Sequence, residues 1–133
     1  MMLLDSNIII YTAQPENAFL QQFIEENTPS VSAISYVEVL GFHKIAPDDK
    51  LHFEQFFATA SMIPITQAIL DHAVKLRQSK KMSLGDSLVA GTALTYDLAL
   101  VTRNTKDFNW IPNLKLINPF EGRSVEQSPV VDT

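Results

Sequence analysis

Short apolar runs alternate with amphipathic segments from one end of this chain to the other, and that alternation leaves few folds open to it. Runs at residues 2–4, 31–34, 62–65, 98–102 and 114–117 have the length and composition of buried strands. Between them, segments at 15–26, 47–60, 66–80 and 83–96 carry apolar residues at helical spacing: Phe19, Phe23 and Ile24; Phe53, Phe56, Phe57 and Ala60; Ile69, Ala73 and Leu76; Leu84, Leu88 and Gly91. Ser35 reads as the cap of a further helix running to Phe42. Strands separated by helices favour an α/β fold with a mostly parallel sheet. The expected architecture is a central parallel sheet of four to five strands flanked by helices in three layers, with residues 1–121 forming one domain and 122–133 a tail without periodicity.

Four carboxylates punctuate this pattern: Asp5 in LLDSNI, Glu38 in SYVEVL, Asp86 in LGDSLVAGTA and Asp107 in TRNTKDF. Asp5 and Asp107 fall just past strands, and Glu38 and Asp86 fall in the first turns of predicted helices. Each alone has a structural explanation. Asp5 and Asp107 suit turns or caps, while Ser35-x-x-Glu38 and Ser83-x-x-Asp86 both read as capping boxes. Together they gather at the C-terminal edge of one parallel sheet, the edge where open α/β sheets bind ligands. A pocket of four carboxylates needs a counter-charge. An all-oxygen donor set points to Mg²⁺, with Mn²⁺ as the alternative.

Composition excludes several other chemistries. There is no cysteine, which removes disulfides, zinc thiolates and thiol nucleophiles and fits a cytoplasmic location. His43, His52 and His72 share no metal-ligand spacing. Ser6 and Ser87 lack the G-x-S-x-G turn of a serine hydrolase, and no phosphate-binding glycine loop occurs. No secretory leader or membrane span is expected, because MMLL runs straight into Asp5 and the longest uncharged stretch contains Pro64 and several polar residues. The net charge of −5 argues against a polyanionic ligand only weakly. Setting the four carboxylates aside leaves eleven acidic residues against ten basic ones. Lys75, Arg77, Lys80 and Lys81 cluster within seven positions and, with Arg103, are the candidates for RNA contact.

The blocks LLDSNIIIY, SAISYVEVLGF, MSLGDSLVAGTAL and LVTRNTKDFNWIPNLKLINP, in this order and spacing, resemble the PIN domain, and more narrowly the VapC-type toxins of toxin–antitoxin pairs. The resemblance covers residues 1–120. It implies a metal-dependent endoribonuclease whose acidic quartet is Asp5, Glu38, Asp86 and Asp107. Asp5, Asp86 and Asp107 are then the expected metal ligands, with Asn7, Thr102 and Asn104 supporting the site. It also implies an RNA substrate, a cognate antitoxin and a homodimer, for which the phenylalanine stripe at 53–57 is the expected contact if it is not simply core. Gly85 and Gly91 stand where many relatives have alanine or a larger residue, and both are expected to allow close helix–sheet packing.

Two readings from other classes compete. An aspartyl-phosphate phosphatase needs D-x-D after its first strand, and the second position here is Asn7. A receiver-like or protein-interaction module fits the length and the βα alternation, with the acids acting only as caps. The receiver version needs a phosphoacceptor after the third strand, and MIPI ends in Thr66 instead.

Overall fold

A computed structural model of the chain describes residues 1–121. The expected tail at 122–133 lies outside the described residues. The elements run β1 (Met2–Leu4), α1 (Ser6–Tyr11), α2 (Phe19–Asn27), β2 (Ser30–Ser32), α3 (Ala33–Leu40), α4 (Pro47–Thr59), β3 (Ser61–Ile63), α5 (Gln67–Ser79), α6 (Leu84–Tyr96), β4 (Ala99–Val101) and β5 (Leu116–Ile117). Single 3₁₀ turns lie at Pro15–Asn17 and Thr105–Asp107. The strands form one sheet in the order β3-β2-β1-β4-β5, parallel at every pairing.

The pleat sorts the core into two halves. Leu3 and Leu100 face α5 and α6, where they meet Leu76, Val89, Ala90, Ala93 and Phe108. Their neighbours Leu4 and Val101 face the opposite side and pack with Ile8, Ile9, Leu20, Val39, Phe53 and Phe57. A sheet with apolar residues on both faces must be covered on both, and this produces the three layers expected from the sequence.

The helix α1 falls in a stretch, SNIIIY, to which the sequence pattern assigned no element. Its isoleucines cost only about half a kcal/mol each in helix propensity. Ile8 and Ile9 are fully buried, worth about 1.5–3 kcal/mol apiece, so packing decides. The second strand ends earlier than expected, at Ser32, because the Ser32 hydroxyl accepts from the Ile34 backbone N–H and starts α3 there. Ser35 is therefore not a cap but a buried residue inside the helix, and Glu38 lies in the second turn, not the first. The boundaries of α5 and α6 match expectation, with Thr66 and Ser83 as their caps. Leu84 does not point inward and is 57% exposed. On α4, Phe53 and Phe57 are core and Phe56 is half-buried, which removes most of the stripe from any subunit contact.

The glycines do different work from that expected. Both sit in α6, but neither serves helix–sheet packing. A Cβ on Gly91 would lie 2.9 Å from the Ile69 carbonyl oxygen and 3.4 Å from the Ala73 nitrogen, so this glycine lets α5 and α6 touch backbone to backbone. Gly85 makes room for a side chain of the site.

Candidate active site

The chain leaves β1, moves outward through β2 and β3, then returns to the other side of β1 as β4. The strand order reverses there, and the ends of β1 and β4 open a crevice. Asp5 follows the last residue of β1 and Thr102 follows the last residue of β4. Asp5 is only 4% exposed. It occupies the N-cap position of α1, yet its side chain makes no cap hydrogen bond. Its Oδ2 instead accepts from the Thr102 hydroxyl at 2.9 Å, and Thr102 Oγ1 in turn accepts from the Asn104 backbone N–H at 3.0 Å. Asn104 thus supports the site through its main chain. Asn7 is exposed on the next helical position but one from Asp5.

Glu38 is not spent on a cap either. The Ser6 hydroxyl donates to Glu38 Oε1 at 2.7 Å and lies 2.7 Å from Ser35 Oγ. A serine has one hydroxyl proton, and Ser6 uses it on Glu38, so Ser35 donates to Ser6. The result is a relay, Ser35 to Ser6 to Glu38, linking α1 to α3. The carboxylate of Glu38 fills the space beside Gly85: a Cβ there would lie 2.8 Å from Glu38 Cδ and overlap Oε2. Asp86 stands in the first turn of α6, where the Ser83 hydroxyl accepts from its backbone N–H at 3.1 Å. Asp107 closes the 3₁₀ turn after β4 and is exposed.

Electrostatics couples all four. Burial pushes the Asp5 carboxyl up to about 6, opposed by the Thr102 hydrogen bond and reinforced by the charges of Asp86 and Glu38. Asp86 is also raised, first by burial, then by the charge of Asp107, with Glu38 adding to it and Ser83 opposing. No cation answers them. Among the described residues the one ion pair is Lys50–Glu54, a surface pair on α4. A buried carboxylate beside other carboxylates with no cation fits a divalent ion with oxygen ligands. Among the described residues no three acidic or histidine side chains already close around one point. Asp5 is buried and hydrogen-bonded, Glu38 is exposed but hydrogen-bonded, Asp86 is part-exposed and Asp107 exposed.

The other predicted residues divide. Arg77, Lys80 and Lys81 line one recess of about 410 Å³ at the end of α5, and Lys75 does not. Arg103 lies with its guanidinium 4.1 Å from the Phe120 ring centre and 5.4 Å from that of Tyr11. His52 pairs with Thr12, His72 with Thr95, and His43 lies against Phe42, so none faces the carboxylates. Sequence reasoning missed Ser6 and Ser35 as site residues. For Ser35 the S-x-x-E spacing reads as a cap, and for Ser6, 32 residues from Glu38, the sequence carries no signal.

Comparison with known proteins agrees with the geometry. The family model described as the PIN domain matches residues 2–112. A toxin–antitoxin complex from Klebsiella pneumoniae contains a chain 32% identical to this one, aligned over 90% of this chain and 98% of that one with a TM-score of 0.73. DNA-bound VapBC from Salmonella typhimurium matches at 22% identity over 88% and 98% of the two chains, TM-score 0.76. VapBC2 from Rickettsia felis, bound to a DNA fragment from its promoter, matches at 23% over 88% and 97%, TM-score 0.73. The last two establish likeness of fold. No curated protein matches.

Proposed function

The chain belongs to the PIN domain family, a family of nucleases, and on that premise we propose that it is a Mg²⁺- or Mn²⁺-dependent endoribonuclease acting as the toxin of a toxin–antitoxin pair. The observation that carries this is Asp5: a buried carboxylate at the strand-order reversal, its pKa raised by burial and further by the charges of Asp86 and Glu38, with no cation paired to it among the described residues.

In this reading Asp5, Asp86 and Asp107 hold the ion, and Glu38 orients the attacking water or holds a second ion. When bound, the ion supplies Lewis acidity, stabilising charge that builds on the phosphate and making water a nucleophile near neutral pH. The protein supplies position. Thr102 fixes Asp5 in one rotamer, and Ser35 and Ser6 fix Glu38. The exposed side of Asp107 leaves the crevice open to a polymer backbone. Hydrolysis by water does not use the RNA 2′-hydroxyl. The cap-only alternative has lost support at two positions, since neither Asp5 nor Glu38 caps a helix.

The family and the Klebsiella complex support an antitoxin partner, and we assign residues 1–121 to the nuclease domain. No helix among the described residues is long and apolar enough to cross a membrane, and we place the activity in the cytoplasm. A homodimer remains part of the proposal. Val37 on α3 and Leu70 and Val74 on α5, exposed apolar residues, replace the phenylalanine stripe as its expected surface. Light scattering at micromolar concentration tests it, with twice 14.9 kDa expected.

The functional test is induced expression in a bacterium beside purified-enzyme assays. Wild type should arrest growth and cut RNA only with a divalent ion, while Asp5→Asn should do neither. Equal toxicity and equal cleavage by the two proteins at equal abundance would reject the catalytic reading.

A further inference from the structure

The main chains of two of the four acidic residues, Asp107 and Asp86, are linked through intervening residues to the cationic end of α5. The indole Nε1–H of Trp110 donates to the Asp107 main-chain oxygen at 3.0 Å. The ammonium of Lys80 stands over the same indole, 5.5 Å from its centre. On the other side, Arg77 Nε donates to the Met82 carbonyl at 3.3 Å, and the next residue, Ser83, caps α6 and accepts from Asp86. Arg77, Lys80, Lys81 and Met82 share the recess of about 410 Å³. A partly exposed aromatic ring and three cations are thus built onto the rim of an acidic crevice.

The ordinary explanation is a solvated helix end, where cations suit the C-terminal dipole. It accounts for charge on α5 but not for the rest. The chain carries an excess of acid, yet among the described residues none of these three cations forms an ion pair. Nor does it account for an indole anchored to the loop of Asp107. An exposed cation–π contact is weaker than the stacking of a nucleobase on indole, so a base can displace Lys80 from the ring and leave its ammonium free for a phosphate.

We propose that Trp110 is a stacking platform for one base of single-stranded RNA, and that Lys80, Lys81 and Arg77 hold the phosphates next to it, fixing the strand on one side of the scissile bond. This deepens the ribonuclease reading and rests on it. Stacking is tolerant of base identity, whereas it requires an unpaired base. The subsite therefore selects single strands over duplexes, and cleavage should fall in loops and unpaired stretches.

Trp110 is the only tryptophan in the chain, so its fluorescence reports the platform directly. The full-length wild type in EDTA is titrated with a single-stranded oligoadenylate of about ten nucleotides. Quenching that saturates with binding is expected, as is little quenching by an abasic oligomer or by duplex RNA of equal length. Lys80→Ala and Lys81→Ala, both at exposed positions, should each weaken binding about three- to tenfold and flatten the salt dependence by about 0.7 in log–log slope. Trp110→Phe should keep part of the affinity. Binding by anisotropy with unchanged fluorescence, equal quenching by duplex, or lysine variants that bind like wild type would each overturn the proposal. Metal-dependent cleavage separates it from the premise: an enzyme that cuts RNA while Trp110 stays silent refutes the subsite and spares the nuclease. Quenching without any cleavage supports the subsite and refutes the nuclease.

Discussion

The Thr102 hydroxyl donates to Asp5 Oδ2 at 2.9 Å, joining residues 97 apart in sequence at the ends of adjacent strands. Both are buried, and this bond is the main force opposing the rise in the Asp5 pKa. Thr102→Val should therefore raise that pKa further. It also deprives the Asn104 N–H of its acceptor, and a lost buried hydrogen bond costs about 1–3 kcal/mol. Cleavage should fall about 10–100-fold, the usual effect of removing a group that orients a metal ligand. The acid limb of the pH–rate profile should move to higher pH. A profile that keeps its shape would mean that Thr102 acts only on stability.

The pKa of about 6 also predicts how stability varies with pH without divalent ions. In the unfolded chain Asp5 titrates near 3.8, so between the two values the folded protein holds a proton that the unfolded chain has lost. Stability must then fall as pH rises through that window. The ionised carboxylate at neutral pH costs about 3 kcal/mol, an order-of-magnitude figure at 1.36 kcal/mol per unit. In EDTA, the melting temperature of wild type should climb as pH is lowered from 7 to 5. Asp5→Asn should be more stable than wild type at pH 7, with a flatter profile. Millimolar Mg²⁺ or Mn²⁺ should stabilise wild type and leave the variant unchanged. Parallel pH profiles for the two proteins would show that Asp5 is not the group concerned.

Gly85→Ala places a methyl where the Glu38 carboxylate now lies. The obstacle is the end of a flexible side chain, so the backbone need not move, and alanine is the better helix former by up to about 1 kcal/mol. Stability should be unchanged or slightly higher. Glu38 must swing away from Ser6, and cleavage should drop at least about tenfold. If the alanine variant cuts at the wild-type rate, the position of Glu38 is immaterial to the reaction.

Gly91→Ala is the opposite case. Its Cβ meets the Ile69 carbonyl and the Ala73 nitrogen, both main chain, and α5 must be pushed off α6. Overpacking of this kind costs about 1–3 kcal/mol. Thermal unfolding should show that loss. Because the site residues Gly85 and Asp86 lie in the first turn of α6, more than a turn before Gly91, the folded variant should retain most of its cleavage rate.

What the sequence revealed here was whatever depends on local pattern. β1 was legible because three apolar residues run into Asp5, and α5 and α6 because their apolar spacing and caps agree. SNIIIY stayed unassigned because isoleucine favours strands locally, while its helical state is settled by Leu20, Val31 and Phe53 across the fold. Ser35 misled because two serines three residues apart could each cap α3, and only strand pairing at Ser32 with Ile63 decides between them. Contacts such as Ser6–Glu38 and Trp110–Asp107 had no signature at all. The first spans 32 residues, and the second uses a main-chain oxygen that any residue type supplies.

The relay from Ser35 through Ser6 to Glu38 gives the last prediction. Ser35 is fully buried and its side chain hydrogen-bonds to Ser6, so it is a positioning residue. Ser35→Ala removes the donor to Ser6 and weakens the hydrogen bond that Ser6 gives Glu38, since linked hydrogen bonds polarise one another. Ser6→Ala removes the Glu38 bond outright. The expected order of cleavage rates is wild type, then Ser35→Ala, then Ser6→Ala. The fall should be in kcat with little change in KM, because neither hydroxyl meets the substrate. Each variant should lose about 1 kcal/mol of stability. In a Glu38→Gln background the alanine changes should have little further effect on kcat while still costing stability. Full additivity of the rate losses in that background would show that the serines act on the reaction by a route other than Glu38.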